Sequence, residues 1–353
     1  MKRIRVLIVD DSALVRRALT QSLGQHEDIE VVGTAVDPYA ARDKILSLNP
    51  DVLTLDIEMP RMDGLTFLKL LMKHRPMPVV IMSSLTAAGS AKALEALQAG
   101  AVEVLEKPSN SDSTYEDACR LAEVVRAASH ARLRSTGDAA PPRPAPAPPR
   151  LPRRTHSSRQ IVLMGASTGG TEALKAVLTS LGPDVPGICI VQHIPAQFSL
   201  AFANRLNSLC AFEVREARSG DRVMPGLALV APGGFHMVLR SRGTDYEVQL
   251  SEGPRIHYQR PAVDVLFESA VKAGAGAHAL GILLTGMGAD GAAGLLSLQS
   301  AGAETIAQDE QSCVVFGMPR EAIRLGAAQS ILPLGQIGPR IERFASRGVL
   351  APA

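Results

Sequence analysis

Short runs of valine, isoleucine and leucine alternate with helical stretches along almost the whole chain, and this alternation constrains the fold more than any other feature. Towards the N-terminus, IRVLIV, EVVGTA, DVLTLD, PVVIMSS and AVEVLEK read as strands, with helical patterns such as DGLTFLKLLMKH between them. Repeated strand–helix alternation predicts a parallel sheet covered by helices on both faces. The same pattern returns later, with QIVLMG, GICIVQH, LALVAP, ALGILLTG and AETIAQ as strands and TEALKAVLTSL and AVDVLFESAVKAG as helices. There a hairpin from HMVLR to YEVQL interrupts the alternation. The expected class is α/β in both halves: a five-stranded parallel sheet first, then a doubly wound, mainly parallel domain with an antiparallel hairpin.

Between the halves, Pro141 to Pro152 reads PPRPAPAPPRLP. Proline lacks an amide N–H and fixes φ, so this run cannot enter a helix or sheet interior. It predicts a semi-rigid polyproline-II spacer of about 3.1 Å per residue. The expected division is a first domain over 1–125, a Pro/Arg-rich linker over 126–157 and a second domain over 158–347. Of the 353 residues, 46% are hydrophobic and 20% charged, enough apolar material for two ordinary cores. With 37 basic and 35 acidic side chains the net charge is only +2, so no positive field points to nucleic acid or an anionic membrane. No apolar run has spanning length, the first strand begins at Ile4, and Cys119, Cys189, Cys210 and Cys313 lack C-x-x-C spacing. These features predict a cytoplasmic protein with reduced thiols and no direct membrane insertion.

In the first half, Asp10 and Asp11 end one strand, Asp56 ends another, and Lys107 follows the last. In a parallel sheet all four fall on one edge. Crowded carboxylates repel unless a cation sits among them, and hard oxygen ligands favour Mg²⁺. Lys107 would pair with an anion at the same edge. The stretches LIVDDSALVRRAL, DVLTLDIEMPRMDGL and VLEKPS resemble the receiver domain of bacterial two-component response regulators, which has a flavodoxin-like fold. That resemblance implies that Asp56 accepts a phosphoryl group from a chemotaxis histidine kinase. It also implies that Asp11, Asp56 and the Glu58 carbonyl hold Mg²⁺, with Asp10 acting through water, and that Ser83 and Lys107 form the phospho-switch. The family often carries an aromatic residue three positions before the lysine; here Val104 stands there, so no rotating-ring switch is expected.

In the second half the strand IVLMGA runs into the turn G-A-S-T-G-G. A Walker phosphate loop would need lysine after the last glycine, and a dinucleotide fingerprint would need glycine where Ser167 stands. G-x-S-x-G does match, and a serine on a tight strand-to-helix turn is presented to substrate. A serine nucleophile needs a base. His193 ends the strand after the one that bears Ser167, which puts both on one rim, whereas His278 begins a strand and His236 and His257 lie in the irregular middle. Asp290, in the glycine-rich turn after ALGILLTG, is the candidate orienting acid or the N-cap of the following helix. GASTGG, VQHIP, APGGFHM, RPAVDVLFESA, LTGMGADGA and FGMPREA resemble the catalytic domain of the CheB family of chemotaxis methylesterases. The resemblance implies hydrolysis of glutamyl methyl esters and deamidation of glutamines on methyl-accepting chemoreceptors, without a cofactor in this domain. By the resemblance, and by their place in the two glycine-rich turns, the backbone amides of Thr168 and Met287 are candidates for an oxyanion hole. Phe235 departs from the family, where lysine is frequent. The alternatives are a serine esterase in a non-flagellar chemosensory pathway and a non-catalytic binding output.

Overall fold

The structure, a computed structural model, describes residues 2–83, 87–107, 115–132 and 159–347, with only the backbone for 87–91 and 115–118. It divides into two compact units, Met1–Pro141 and Pro142–Ala353. The proline run 141–152 lies outside the described residues.

In the first unit, β1 (Ile4–Val9), β2 (Ile29–Ala35), β3 (Val52–Asp56), β4 (Val79–Ser83) and β5 (Glu103–Glu106) form a parallel sheet in the order β2-β1-β3-β4-β5. The helices are α1 (Ala13–Leu23), α2 (Pro38–Leu48), α3 (Gly64–His74), α4 (Ala87–Gln98) and α5 (Tyr115–Ser129). Side chains fix where they start. Ser12 accepts from the Val15 amide at the head of α1, Asp37 from Ala40 ahead of Pro38 in α2, and Asp63 from Thr66 in α3. Helix α5 continues past the boundary expected at 125, and Arg126 stays in this unit through a 2.6 Å bond from its Nε to Asp28. The strand order reverses beside β1, so the carboxyl ends of β1 and β3 flank a crevice.

In the second unit the strands in chain order are β6 (Ile161–Ala166), β7 (Gly187–Gln192), β8 (Glu213–Glu216), β9 (Arg222–Val223), β10 (Leu227–Val230), β11 (His236–Arg242), β12 (Asp245–Ser251), β13 (Ala279–Leu283), β14 (Glu304–Gln308) and β15 (Ser330–Leu332). Seven of them make one parallel sheet in the order β15-β14-β13-β6-β7-β10-β8, while β11, β12 and β9 form a separate antiparallel sheet that contains the expected hairpin. The helices are α6 (Gly170–Leu178), α7 (Ala196–Asn207), α8 (Val263–Lys272), α9 (Ala292–Ser300), α10 (Met318–Arg324) and α11 (Leu334–Arg347). The central strands β6, β7 and β13 are buried along their whole length, as parallel strands covered on both faces must be. Helix α8 lies close on β6, because a Cβ on Gly165 would run into the Val263 side chain. From β6 the chain winds outward on one side and returns at β13 on the other. That reversal opens a crevice at the carboxyl ends of β6 and β13.

Candidate functional site

The first crevice gathers the acids that the sequence placed on one edge. Asp10 and Asp56 are buried, Asp11 lies at the surface, and oxygens of all three come within 4.8 Å of one another. Lys107 reaches in from the end of β5, its Nζ 2.7 Å from Asp56 and 3.1 Å from Asp10. The Glu58 amide donates to Asp56 and the Ser12 amide to Asp10. Burial pushes the Asp56 carboxyl up to about 6, against the pull of Lys107 and the Glu58 amide, and the Asp10 charge adds to the rise. One ammonium thus pairs with two of the three carboxylates in the cluster. An all-oxygen donor set with excess negative charge suits a hard divalent cation such as Mg²⁺. Ser83 is buried at the end of β4, where its carbonyl accepts from the Lys107 amide, and Val104 is buried in β5.

The second crevice holds Ser167, His193 and Asp290, all buried. Strands β6 and β7 pair in register up to Ala166 and Gln192, so Ser167 and His193 are each the next residue beyond the sheet. Ser167 does not cap α6. The N-cap is Gly169, with φ of 76° and no side-chain cap bond. The turn is glycine-rich for packing: a Cβ on Gly170 would meet Gln192 Oε1, and one on Gly286 would lie 2.7 Å from the Ser167 Cβ. His193 Nε2 is 2.7 Å from Asp290 Oδ2. Ser167 and His193 are joined through Gln192, whose Nε2 donates to both backbone carbonyls at 2.9 and 3.2 Å. Among the described residues, no hydrogen bond links the Ser167 hydroxyl to the ring.

Asp290 is not the cap of α9, which begins after Gly291 without a side-chain cap. It turns to α8 and accepts the amides of Val263 and Asp264, the first two residues of that helix, at 2.7 and 2.9 Å. The carboxylate therefore sits at the positive end of the α8 dipole. Burial works to raise it, but the His193 ring and the two amides hold it below the usual carboxylate range.

The other histidines are engaged elsewhere. His236 Nδ1 accepts the Ala262 amide and its Nε2 donates to the Pro254 carbonyl; His257 Nε2 lies 3.2 Å from Asp264; His278 precedes β13 at the far edge of the sheet. The backbone amides of Thr168 and Met287 donate to no protein acceptor among the described residues. Two supporting residues escaped the sequence reading. Gln192 is one. Thr285 is the other: its buried hydroxyl lies 3.0 Å from the Thr168 carbonyl and 3.1 Å from the Val315 carbonyl, and accepts the Val315 amide. Gln192 ends β7 and Thr285 follows β13, both at the same rim as Ser167, and that position was the available signal.

Comparison with known families gives two separate matches, CheB methylesterase over residues 162–341 and response regulator receiver domain over residues 6–117. The chain belongs to the CheB methylesterase family. Among members of the family, the protein-glutamate methylesterase/protein-glutamine glutaminase 2 of Syntrophus aciditrophicus is 55% identical over 98% of this chain and 100% of its own length. The enzyme of the same name from Bordetella avium is 54% identical over 99% of both chains. The crystal structure of the Thermotoga maritima CheB methylesterase catalytic domain is 36% identical, covers 52% of this chain and 97% of its own, and superposes with a TM-score of 0.51. Both CheB units are thus present, a receiver with a parallel five-stranded sheet followed by a parallel-sheet α/β domain. No helix among the described residues is long and apolar enough to cross a membrane.

Proposed function

We propose that this protein is a phosphorylation-regulated protein-glutamate methylesterase and protein-glutamine glutaminase acting on chemoreceptors in the cytoplasm. Its family and its full-length relatives support the activity. The observation that carries the chemistry is the buried 2.7 Å His193–Asp290 pair on the rim that also presents Ser167. Because Asp290 holds Nε2, the ring nitrogen left for Ser167 is Nδ1. Ser167 Oγ attacks the ester carbonyl while its proton passes to Nδ1. Methanol leaves with that proton, and for a glutamine substrate ammonia leaves in the same way. Water then attacks the acyl-enzyme, giving one proton to Nδ1, and Nδ1 returns it to Ser167 Oγ as the glutamate carboxyl leaves. Asp290 fixes the tautomer and stabilises the charged ring. The amides of Thr168 and Met287 stabilise the oxyanion, a role in which losing one donor commonly costs about 10²–10³ in rate.

In the receiver, Asp56 is the phosphoacceptor, and Ser83 and Lys107 contact the phosphoryl group. Asp11, Asp56 and the Glu58 carbonyl are the residues to hold Mg²⁺, with Asp10 behind them. When bound, the ion neutralises the charge of the phosphoryl oxygens. A histidine kinase is the phosphodonor. Residues 126–129, expected in the linker, are helical. Methanol release from methyl-labelled receptor membranes tests the reading. Ser167→Ala is expected to lower it at least a thousandfold; release that survives the substitution removes Ser167 as nucleophile.

A further inference from the structure

Helices α8 and α9 cap one another. Asp290, just ahead of α9, accepts the first two amides of α8. Asp264, in the first turn of α8, accepts the Gly294 amide in the first turn of α9 at 2.7 Å. Neither helix has a side-chain cap of its own. The contact is close, since a Cβ on Gly294 would lie 2.8 Å from the Phe267 Cβ and 3.0 Å from Asp264 Oδ1. His257 Nε2 meets the other Asp264 oxygen at 3.2 Å, so two histidine–carboxylate pairs stand side by side: His193 with Asp290, and His257 with Asp264.

From this geometry we infer that Asp264 is a positioning residue for the reaction, holding Asp290 against His193, and that His257 supports Asp264 in that role. The inference rests on the proposed nucleophilic mechanism. Asp264 acts in two ways. Its amide and its hold on α9 fix the turn 286–291, which carries both Asp290 and Met287. Its carboxylate also places a second negative charge behind the pair. Burial and the Asp290 charge push the Asp264 carboxyl upward, opposed by the Gly294 amide and His257. Two neighbouring buried carboxylates are costly unless each is well hydrogen-bonded, and here Asp290 accepts two helix amides and Asp264 one. The titratable groups facing the cluster are His193 beyond β7, His257 from the 252–262 segment, Asp264 from α8 and Asp290 from the turn before α9. Farther along α8, Glu268 and Lys272 are exposed and pair with each other, and α9 contains no titratable side chain.

The test measures kcat, KM and the pH profile of the full chain on methylated receptor, together with the low-field proton resonance of the His193–Asp290 bond. Asp264→Ala removes cap and charge and is expected to lower kcat about tenfold to a hundredfold with KM little changed, as for an active group displaced by about 1 Å. Asp264→Asn retains an oxygen for Gly294 but loses the charge. It should lose less rate and move the acid limb of kcat/KM to lower pH, because the charged His193 ring loses a negative neighbour. His257→Gln, which keeps a donor, should remain closer to wild type than His257→Ala. If Asp264→Ala fails to fold, Asp264→Asn decides. Variants within twofold of wild type overturn the inference, and so does a rate loss that leaves the acid limb and the His193 resonance unmoved. Ser167→Ala in the same assay separates the two readings: if it retains hydrolysis the nucleophile is wrong, and if it alone is inactive only the role of Asp264 falls.

Discussion

Asp56 shows how one residue can hold a charge that its surroundings oppose. Its carboxyl is buried beside Asp10 and ionises near pH 6 against an ordinary value of 3.8. A raised acid opposes folding in its charged form. The stability it permits is therefore full below about pH 4 and is lost as pH rises through 6. A shift of this size corresponds to at most about 3 kcal/mol at neutral pH. In buffer free of divalent cations, Asp56→Asn should raise the first unit's unfolding midpoint at pH 8. The gain should shrink below pH 6 and vanish near pH 4, offset in part by the lost Lys107 contact. Added Mg²⁺ should stabilise wild type above pH 6 and leave Asp56→Asn unmoved. Thermal scans across pH check both; a midpoint gain independent of pH would show that burial of the Asp56 charge is not the cause.

Among elements, the strands that lead to the proposed catalytic residues were legible because they are buried and apolar over their whole length. IVLMGA, GICIVQ and ALGIL put Ser167, His193 and the Asp290 turn on one rim before any contact was known. The strands that escaped were β8, β9 and β15, with sequences EVRE, RV and SIL. They are short, and β8 and β15 are the two edges of the large sheet, where polar residues blunt pairing with other chains. Asp290 could be placed in its turn, but its direction could not. Capping rules look for a side chain within the same helix, whereas here the cap comes from the neighbouring one. Gln192 and Thr285 were hidden for the same reason, since their partners lie across loops that sequence spacing does not relate. Thr285 ties the β6, β13 and 315 segments together, so Thr285→Val should leave buried backbone groups unpaired and cost about 1–3 kcal/mol in denaturant unfolding. Thr285→Ser, which keeps the hydroxyl, should restore most of that stability and most of kcat. A valine variant as stable and active as wild type would show that the loops hold without it.

At the scale of the molecule, each unit carries its own sheet and its own crevice at a strand-order reversal, and the two sites share no residue. On the proposed reading, phosphoryl transfer takes place at the oxygen cluster around Asp56 and ester hydrolysis at the Ser167 rim, so the two chemistries should be separable by single substitutions in the full chain. Ser167→Ala should take up phosphoryl label from acetyl phosphate and Mg²⁺ as wild type does, while releasing no methanol. Asp56→Asn should release methanol at the basal rate and fail to respond to the same phosphodonor. Wild type alone should show both label and a rise in methanol release. A phosphoryl group on Asp56 would add up to two negative charges and strong acceptor oxygens at a buried edge, and such a change biases a surface between two arrangements without unfolding it. Methanol release that still rises with phosphodonor in Asp56→Asn would place the regulatory phosphoryl group on another residue.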